Sequence, residues 1–140
     1  MKTRNLLAGA ALLLATHTFA APPAKAVLLD FSRPALIDTA VARATMAEGI
    51  PDKLWRVYPA SKWGFVSQVE GGMMANGTCV VTARVMMVAL TPTLKVAIFR
   101  PRQIATAFDA VPSSNAEQCR ELAKTKLTEA TQSVISSLVN

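Results

Sequence analysis

Histidine is almost missing from this chain of 140 residues: there is one, His17. Cysteine occurs twice, tryptophan twice and tyrosine once, and 9 acidic residues stand against 15 basic ones. No apolar run reaches the roughly 20 residues that a membrane-spanning helix needs. Each scarcity excludes something. His17 also sits in a segment marked for removal. Without it there is no imidazole base, no Ser-His or Cys-His nucleophile pair and no ordinary zinc site. The only Gly-Gly pair, Gly71-Gly72, lies inside a β-rich run, where a bulge or close packing accounts for it better than a phosphate cradle. Carboxylates are dispersed: Asp109 stands alone, and Glu117 and Glu121 suit the start of a helix. We therefore read the chain as a non-enzyme with no cofactor and no metal. Met73, Met74, Met86 and Met87 would suit a soft copper ion. Neighbouring strand residues point to opposite faces, however, so neither pair can chelate, and the methionines read as core fillers.

What is present begins with an export signal. Lys2 and Arg4 precede the apolar run Leu6–Ala15, and Thr18-Phe19-Ala20 offers small residues for cleavage. Residues 1–20 are read as a signal peptide, 21–31 as a flexible lead and 32–140 as one α+β domain. Cleavage near Ala20 places the protein in the periplasm, or secretes it, with no stable membrane insertion. Loss of Lys2 and Arg4 leaves 13 basic and 9 acidic residues, a net charge of +4. That balance favours acidic partners mildly, and export argues against nucleic acid.

The fold is organised by the stretch from Lys62 to Leu90. Two β-rich runs flank Asn76-Gly77, a strong hairpin signal. The odd-numbered residues Trp63, Phe65, Val69 and Met73 in one run and Cys79, Val81, Ala83, Val85 and Met87 in the other are the apolar set. A three-residue loop, Ala75-Asn76-Gly77, brings both sets to one face and pairs Met73 with Cys79 and Phe65 with Met87. On the opposite face, Val66 then meets Met86 and Gln68 meets Arg84, with Glu70 diagonal to Arg84 and Val80 and Val88 nearby.

Around this hairpin the sequence predicts two helices. The first has Ser32 or Arg33 as its cap, Pro34 in its first turn and Leu36, Ile37, Ala40, Val41, Ala44 and Ala47 as an apolar stripe. Gly49 is expected as its left-handed stop, and Val27–Phe31 either adds an edge strand or staples the helix. Asp52–Lys62 reads as a short strand or extended connector. A third strand spans Leu94 to Phe99, and Gln103–Val111 is a fourth strand or a short helix. Ser114 with Glu117 forms a capping box for a final helix with Cys119, Leu122, Ala123, Leu127, Ala130, Val134 and Leu138 on one stripe. The expected architecture is an antiparallel meander of three to four strands packed with an N-terminal helix and a long C-terminal helix.

Cys79 falls on the core face and Cys119 on the helical stripe, so an exported chain should join them. The bond closes a loop of about 40 residues, worth roughly 4 kcal/mol in the chain-entropy picture. Other surfaces remain candidates for contact. The face carrying Val66, Gln68, Arg84, Met86 and Val88 is half apolar, so either another element covers it or it meets a protein partner or a second copy. Trp55, Arg56 and Tyr58 are the freer members of an aromatic and basic cluster, while Trp63 and Phe65 close the core or line a small-ligand cavity beneath it. Arg100 and Arg102 flank Pro101 and would capture an anion or keep a sheet edge soluble. An inhibitor or immunity protein against a secreted or cell-wall-degrading enzyme is the other class that fits the size and compartment. Intact mass of the exported protein should show a chain that begins at or near Ala21 and carries no free thiol. A chain that retains Met1–Ala20 would overturn the export reading.

Overall fold

In the computed structural model, residues 26–93, 95–97 and 100–139 are described. The expected signal peptide and the first residues of the lead lie outside them, as do Leu94, Ile98 and Phe99 of the expected third strand. The elements run β1 (Val27–Asp30), α1 (Thr39–Gly49), α2 (Asp52–Val57), β2 (Trp63–Met73), β3 (Cys79–Leu90), β4 (Val96–Ala97), β5 (Gln103–Val111) and α3 (Ala116–Val139). One sheet holds the five strands of the described residues in four positions. The order is β1-β2-β3, and β4 and β5 then follow one another along the remaining edge of β3.

The hairpin forms in the register that parity demands. Phe65 pairs with Met87, Val66 with Met86, Gln68 with Arg84, and Met73 with Cys79. Met74 N–H donates to Thr78 O at 2.8 Å, leaving Ala75, Asn76 and Gly77 as the loop, and Gly77 takes the left-handed conformation at φ 77°. Gly71 is the other glycine the hairpin requires. At φ 120° it has a backbone that side-chain-bearing residues avoid, and a Cβ there would overlap the carbonyl oxygen of Val80.

The sheet is mixed, not a pure antiparallel meander. Val27–Asp30 takes the edge-strand option and pairs parallel to β2, Leu28 beside Phe65 and Leu29 beside Val66. The sheet therefore reaches back into the stretch read as a flexible lead. A parallel neighbour needs a crossover, and α1 and α2 supply it. Helix α2 occupies Asp52–Val57, where a short strand or extended connector was expected. Pro51 precedes it, Asp52 opens it at the dipole-favoured end, and Leu54 is fully buried.

Helix α1 starts later than its apolar spacing suggests. Asp38, not Ser32 or Arg33, is the cap and accepts from Ala40 N–H at 2.7 Å. The buried face is consequently Ala42, Thr45 and Met46, Val41 is exposed, and Leu36 and Ile37 are buried in the turn before the helix. Ser32 does other work. Its hydroxyl donates to the Asp30 carboxylate and accepts from Val69 N–H at 2.9 Å, while Ser67 Oγ donates to the same carboxylate oxygen at 2.7 Å. Gly49 is not a left-handed stop either. A Cβ there would lie 2.8 Å from Cγ2 of Thr131, so the glycine lets α1 approach α3.

Among the described residues, the three helices pack on one face of the sheet. Their core joins Met46, Leu54, Phe65, Val69, Val81, Val85, Met87, Leu127 and Val134. Helix α3 buries Cys119, Ala123, Leu127, Ala130 and Val134 of the expected stripe and, in addition, Thr131 and Ile135, while Leu122 and Leu138 are only partly buried. Its cap is Asn115, not Ser114. Asn115 Oδ1 accepts from Gln118 N–H and Gln118 Oε1 from Asn115 N–H, each at 2.9 Å. The Cys79–Cys119 disulfide, with Cα atoms 5.5 Å apart, ties the first turns of α3 to the start of β3. No helix among the described residues is long and apolar enough to cross a membrane.

Gly71→Ala should cost about 3 kcal/mol or more, because strain and overlap combine. Gly72→Ala, at φ 143° but facing open space, should cost about 1–2 kcal/mol. Urea midpoints of the two variants check the order, and equal losses would refute the overlap argument.

Candidate functional site

With α1, α2 and α3 on one side, the even-numbered residues of β2, β3 and β5 form the other side in rows across the sheet. Leu29, Val66, Met86 and Ile104 make one row; Gln68, Arg84 and Thr106 the next; Glu70, Thr82 and Phe108 the third; Gly72, Val80 and Ala110 the last. The first row is apolar, and its exposure rises toward β5: Val66 is 1% exposed, Met86 9% and Ile104 47%. Val66, Met86 and Val88, expected as an open interaction face, are instead buried in a small second cluster with Leu29 and Val96 against them. Gln68 and Arg84 keep polar surface, and Arg84 is exposed.

Gln68, Glu70, Thr82 and Arg84 ring a shallow depression of about 80 Å³. The Glu70 carboxylate accepts from Gln68 Nε2 at 2.7 Å. The expected Glu70–Arg84 diagonal is not an ion pair, since both pairs among the described residues belong to Lys126. Phe108, 62% exposed, follows Thr82 in the same row. Phe31, one residue past β1 and two past Leu29, is exposed as well.

Sequence reasoning missed Ile104 and Phe108 as surface residues. A signal existed in β5, whose large and small residues alternate: Ile104 and Phe108 against Ala105 and Ala107. Large side chains are usually assigned to the core. Here α3 lies close over β5, and only small residues fit beneath it, so Ala105 and Ala107 pack against the core while Ile104 and Phe108 turn outward.

The aromatic cluster is a plug more than a surface. Trp55, read as a freer member, is half-buried and meets Phe65 edge to face at 5.8 Å, and Tyr58 meets Trp63 likewise at 5.8 Å. Arg56 stays exposed on α2, and Arg100 and Arg102 are exposed between β4 and β5. Helix α2 packs on α3 rather than on β4 or β5, so these groups do not form one constellation. Met73 and Met74, read as core fillers, are exposed at the hairpin tip, while Met87 is fully buried. A second hollow of about 350 Å³ lies between the β5–α3 loop and α3, lined by Val111, Ser114, Gln118, Leu122 and Thr125 among others.

Beside this face, one ion pair anchors β5 under α3. Lys126 Nζ lies 3.2 Å from Asp109 Oδ2 and 2.9 Å from Glu129 Oε2. The Lys126 hydrogen bond holds the Asp109 carboxyl below its ordinary value of 3.8, and the Glu129 and Asp109 carboxylates raise the Lys126 ammonium above 10.5.

No protein-family model matches the chain, and no curated protein matches it. Among solved structures, a PelC dodecamer from Paraburkholderia phytofirmans is similar at 13% identity, with a TM-score of 0.45 over 82% of this chain and 93% of that chain. At that distance the likeness says nothing about what this chain does.

A depressed carboxyl contributes stability that is present above its unfolded value and lost as pH falls through its folded one. The raised ammonium contributes below 10.5 and loses its share only as pH rises above that. Asp109→Asn should therefore be less stable than the parent chain at neutral pH, and the difference should close below about pH 4. Thermal melts across that range check this, and a gap that widens in acid would contradict it.

Proposed function

We propose that this is an exported, non-enzymatic protein-interaction module that binds through the face of its sheet opposite α1, α2 and α3. The observation that carries the reading is the exposure of Ile104 and Phe108 beside the polar ring of Gln68, Glu70, Thr82 and Arg84. Large apolar side chains that stay on the surface next to orienting polar groups suit protein recognition, in which aromatic anchors supply affinity and polar neighbours supply register. The contact surface thus shifts from Val66, Met86 and Val88 toward β5, while Gln68 and Arg84 keep their part in it.

Export fits the same reading. A cleaved segment up to Ala20 removes His17, and what remains to carry the function is shape and surface. The disulfide supports an oxidising compartment. Phe108→Asp should abolish crosslinked capture of whatever the mature protein holds in the cell envelope, while its melting temperature stays near that of the parent, because Phe108 contributes little to the core. Capture that survives both Phe108→Asp and Arg84→Glu would sink the reading.

A further inference from the structure

Among the described residues, β5 pairs only with β3, so its outer edge is open. It spans nine residues and contains no lysine and no proline, two of the devices that keep sheet edges from pairing. Its single charge, Asp109, is engaged by Lys126. The opposite edge differs: β1 is four residues long, too short to template much. Ala105 and Ala107, on the helix side of β5, pack against the core beneath α3 yet remain partly exposed, so the helix leaves the outer edge of the strand open.

The side-chain order along β5 is also self-complementary. An antiparallel two-fold pairing places each residue opposite one on the same face, and the centre of the pairing decides which. With Thr106 opposite Thr106, Ile104 of each copy meets Phe108 of the other. Ala105 then meets Ala107, and Asp109 meets the neutral Gln103. These are the favoured cross-strand combinations: aromatic with β-branched, threonine with threonine, and no like charges opposed. Moving the centre one residue toward Ala107 leaves Ile104 facing Ala110 and Phe108 facing Thr106. Moving it toward Ala105 sets Phe108 against Arg102. Only the Thr106-centred register matches both large apolar residues.

We propose that β5 pairs with β5 of a second copy of this chain, antiparallel and centred on Thr106, so that two sheets become one. This deepens the protein-interaction reading and rests on it: the partner is the chain itself, and the contact runs along the strand edge as well as over Ile104 and Phe108. Main-chain bonds along the edge would give affinity, and the alternating side chains would fix the register.

The test uses the mature, disulfide-bonded chain. Sedimentation over a dilution series should give twice the monomer mass at the upper end. Thr106→Lys, which opposes two ammonium groups on an exposed position, should reduce this to the monomer mass at the same concentrations with the fold intact by circular dichroism. Thr106→Cys, whose native cysteines are already bonded to each other, should link covalently to a second copy under mild oxidation, because opposed residues in a strand pair lie within disulfide reach. Ala110→Cys, four residues from the centre, should not. A parent chain that stays monomeric throughout, or cysteines that link equally at both positions, would overturn the proposal. If the chain is monomeric but Phe108→Asp still loses an unlike protein, self-pairing falls and the interaction reading stands. If it is monomeric and captures nothing, both fall.

Discussion

Everything in this fold depends on the residue parity of one hairpin. The Ala75-Asn76-Gly77 loop, with Gly77 left-handed, sets odd residues opposite odd ones. That single choice sends Phe65, Val69, Cys79, Val81, Val85 and Met87 to the side where the helices lie. A slip of one residue would turn the whole set to the other face and carry Cys79 away from Cys119. Gly71 guards the same register from within β2, since no other residue allows Val80 to come so close. The disulfide does not create this arrangement. It fastens an α3 whose position the core already dictates, and the bond from Ser114 N–H to Gly77 O at 3.0 Å seats the β5–α3 loop on the hairpin turn.

How α3 meets the sheet explains the surface. A long helix laid over β3 and β5 can come close only if the strand beneath it is small on that side, and Ala105 and Ala107 meet that condition. The cost falls on the other side, where Ile104 and Phe108 have no layer above them. The same geometry accounts for Gly49 against Thr131, where two helices sharing one face must also share limited space. Helix approach on one face and apolar exposure on the other are two consequences of one packing choice.

The features legible in the sequence are those that local chemistry fixes. Asn76-Gly77, the odd-residue alternation, the pairing of Cys79 with Cys119 and the α3 stripe depend on neighbours a few residues apart, or on a simple period. The parts that were not legible depend on competition or on distant contacts. Ser32 and Asp38 are both good caps, and Asp38 wins because Ser32 is drawn to Asp30 and Val69 across two strands. That shift moved the α1 face from Ala40 and Ala44 to Ala42 and Met46. Asn115 displaced Ser114 in the same way, since Gln118 completes the box as well as Glu117 would. Helix α2 is a six-residue element, too short for period to speak, and the parallel β1 follows only once the α1–α2 crossover is known. For the candidate site, parity put Gln68 and Arg84 on the open side, but exposure is a property of neighbours. Leu29 and Val96 cover Val66, Met86 and Val88 from strands whose positions no pattern within the hairpin reveals.

The division of labour between the two faces bears on what the molecule is free to do. Stability is concentrated on one side: the large apolar core, the disulfide and the Asp109–Lys126 contact all belong to the helix-bearing layer. On the other side only Val66, Met86 and Val88 with their two neighbours contribute appreciably, and they occupy one end. The rest of that face, from the Gln68–Arg84 pair to Phe108, is nearly without structural obligation. Substitutions there change little of the folding free energy, since exposed positions away from caps and cores usually shift it by no more than about 0.5 kcal/mol. A face released from holding the fold together can be shaped by recognition alone, and side chains such as Phe108, which gain nothing by being exposed in an isolated chain, are where that shaping would leave its mark.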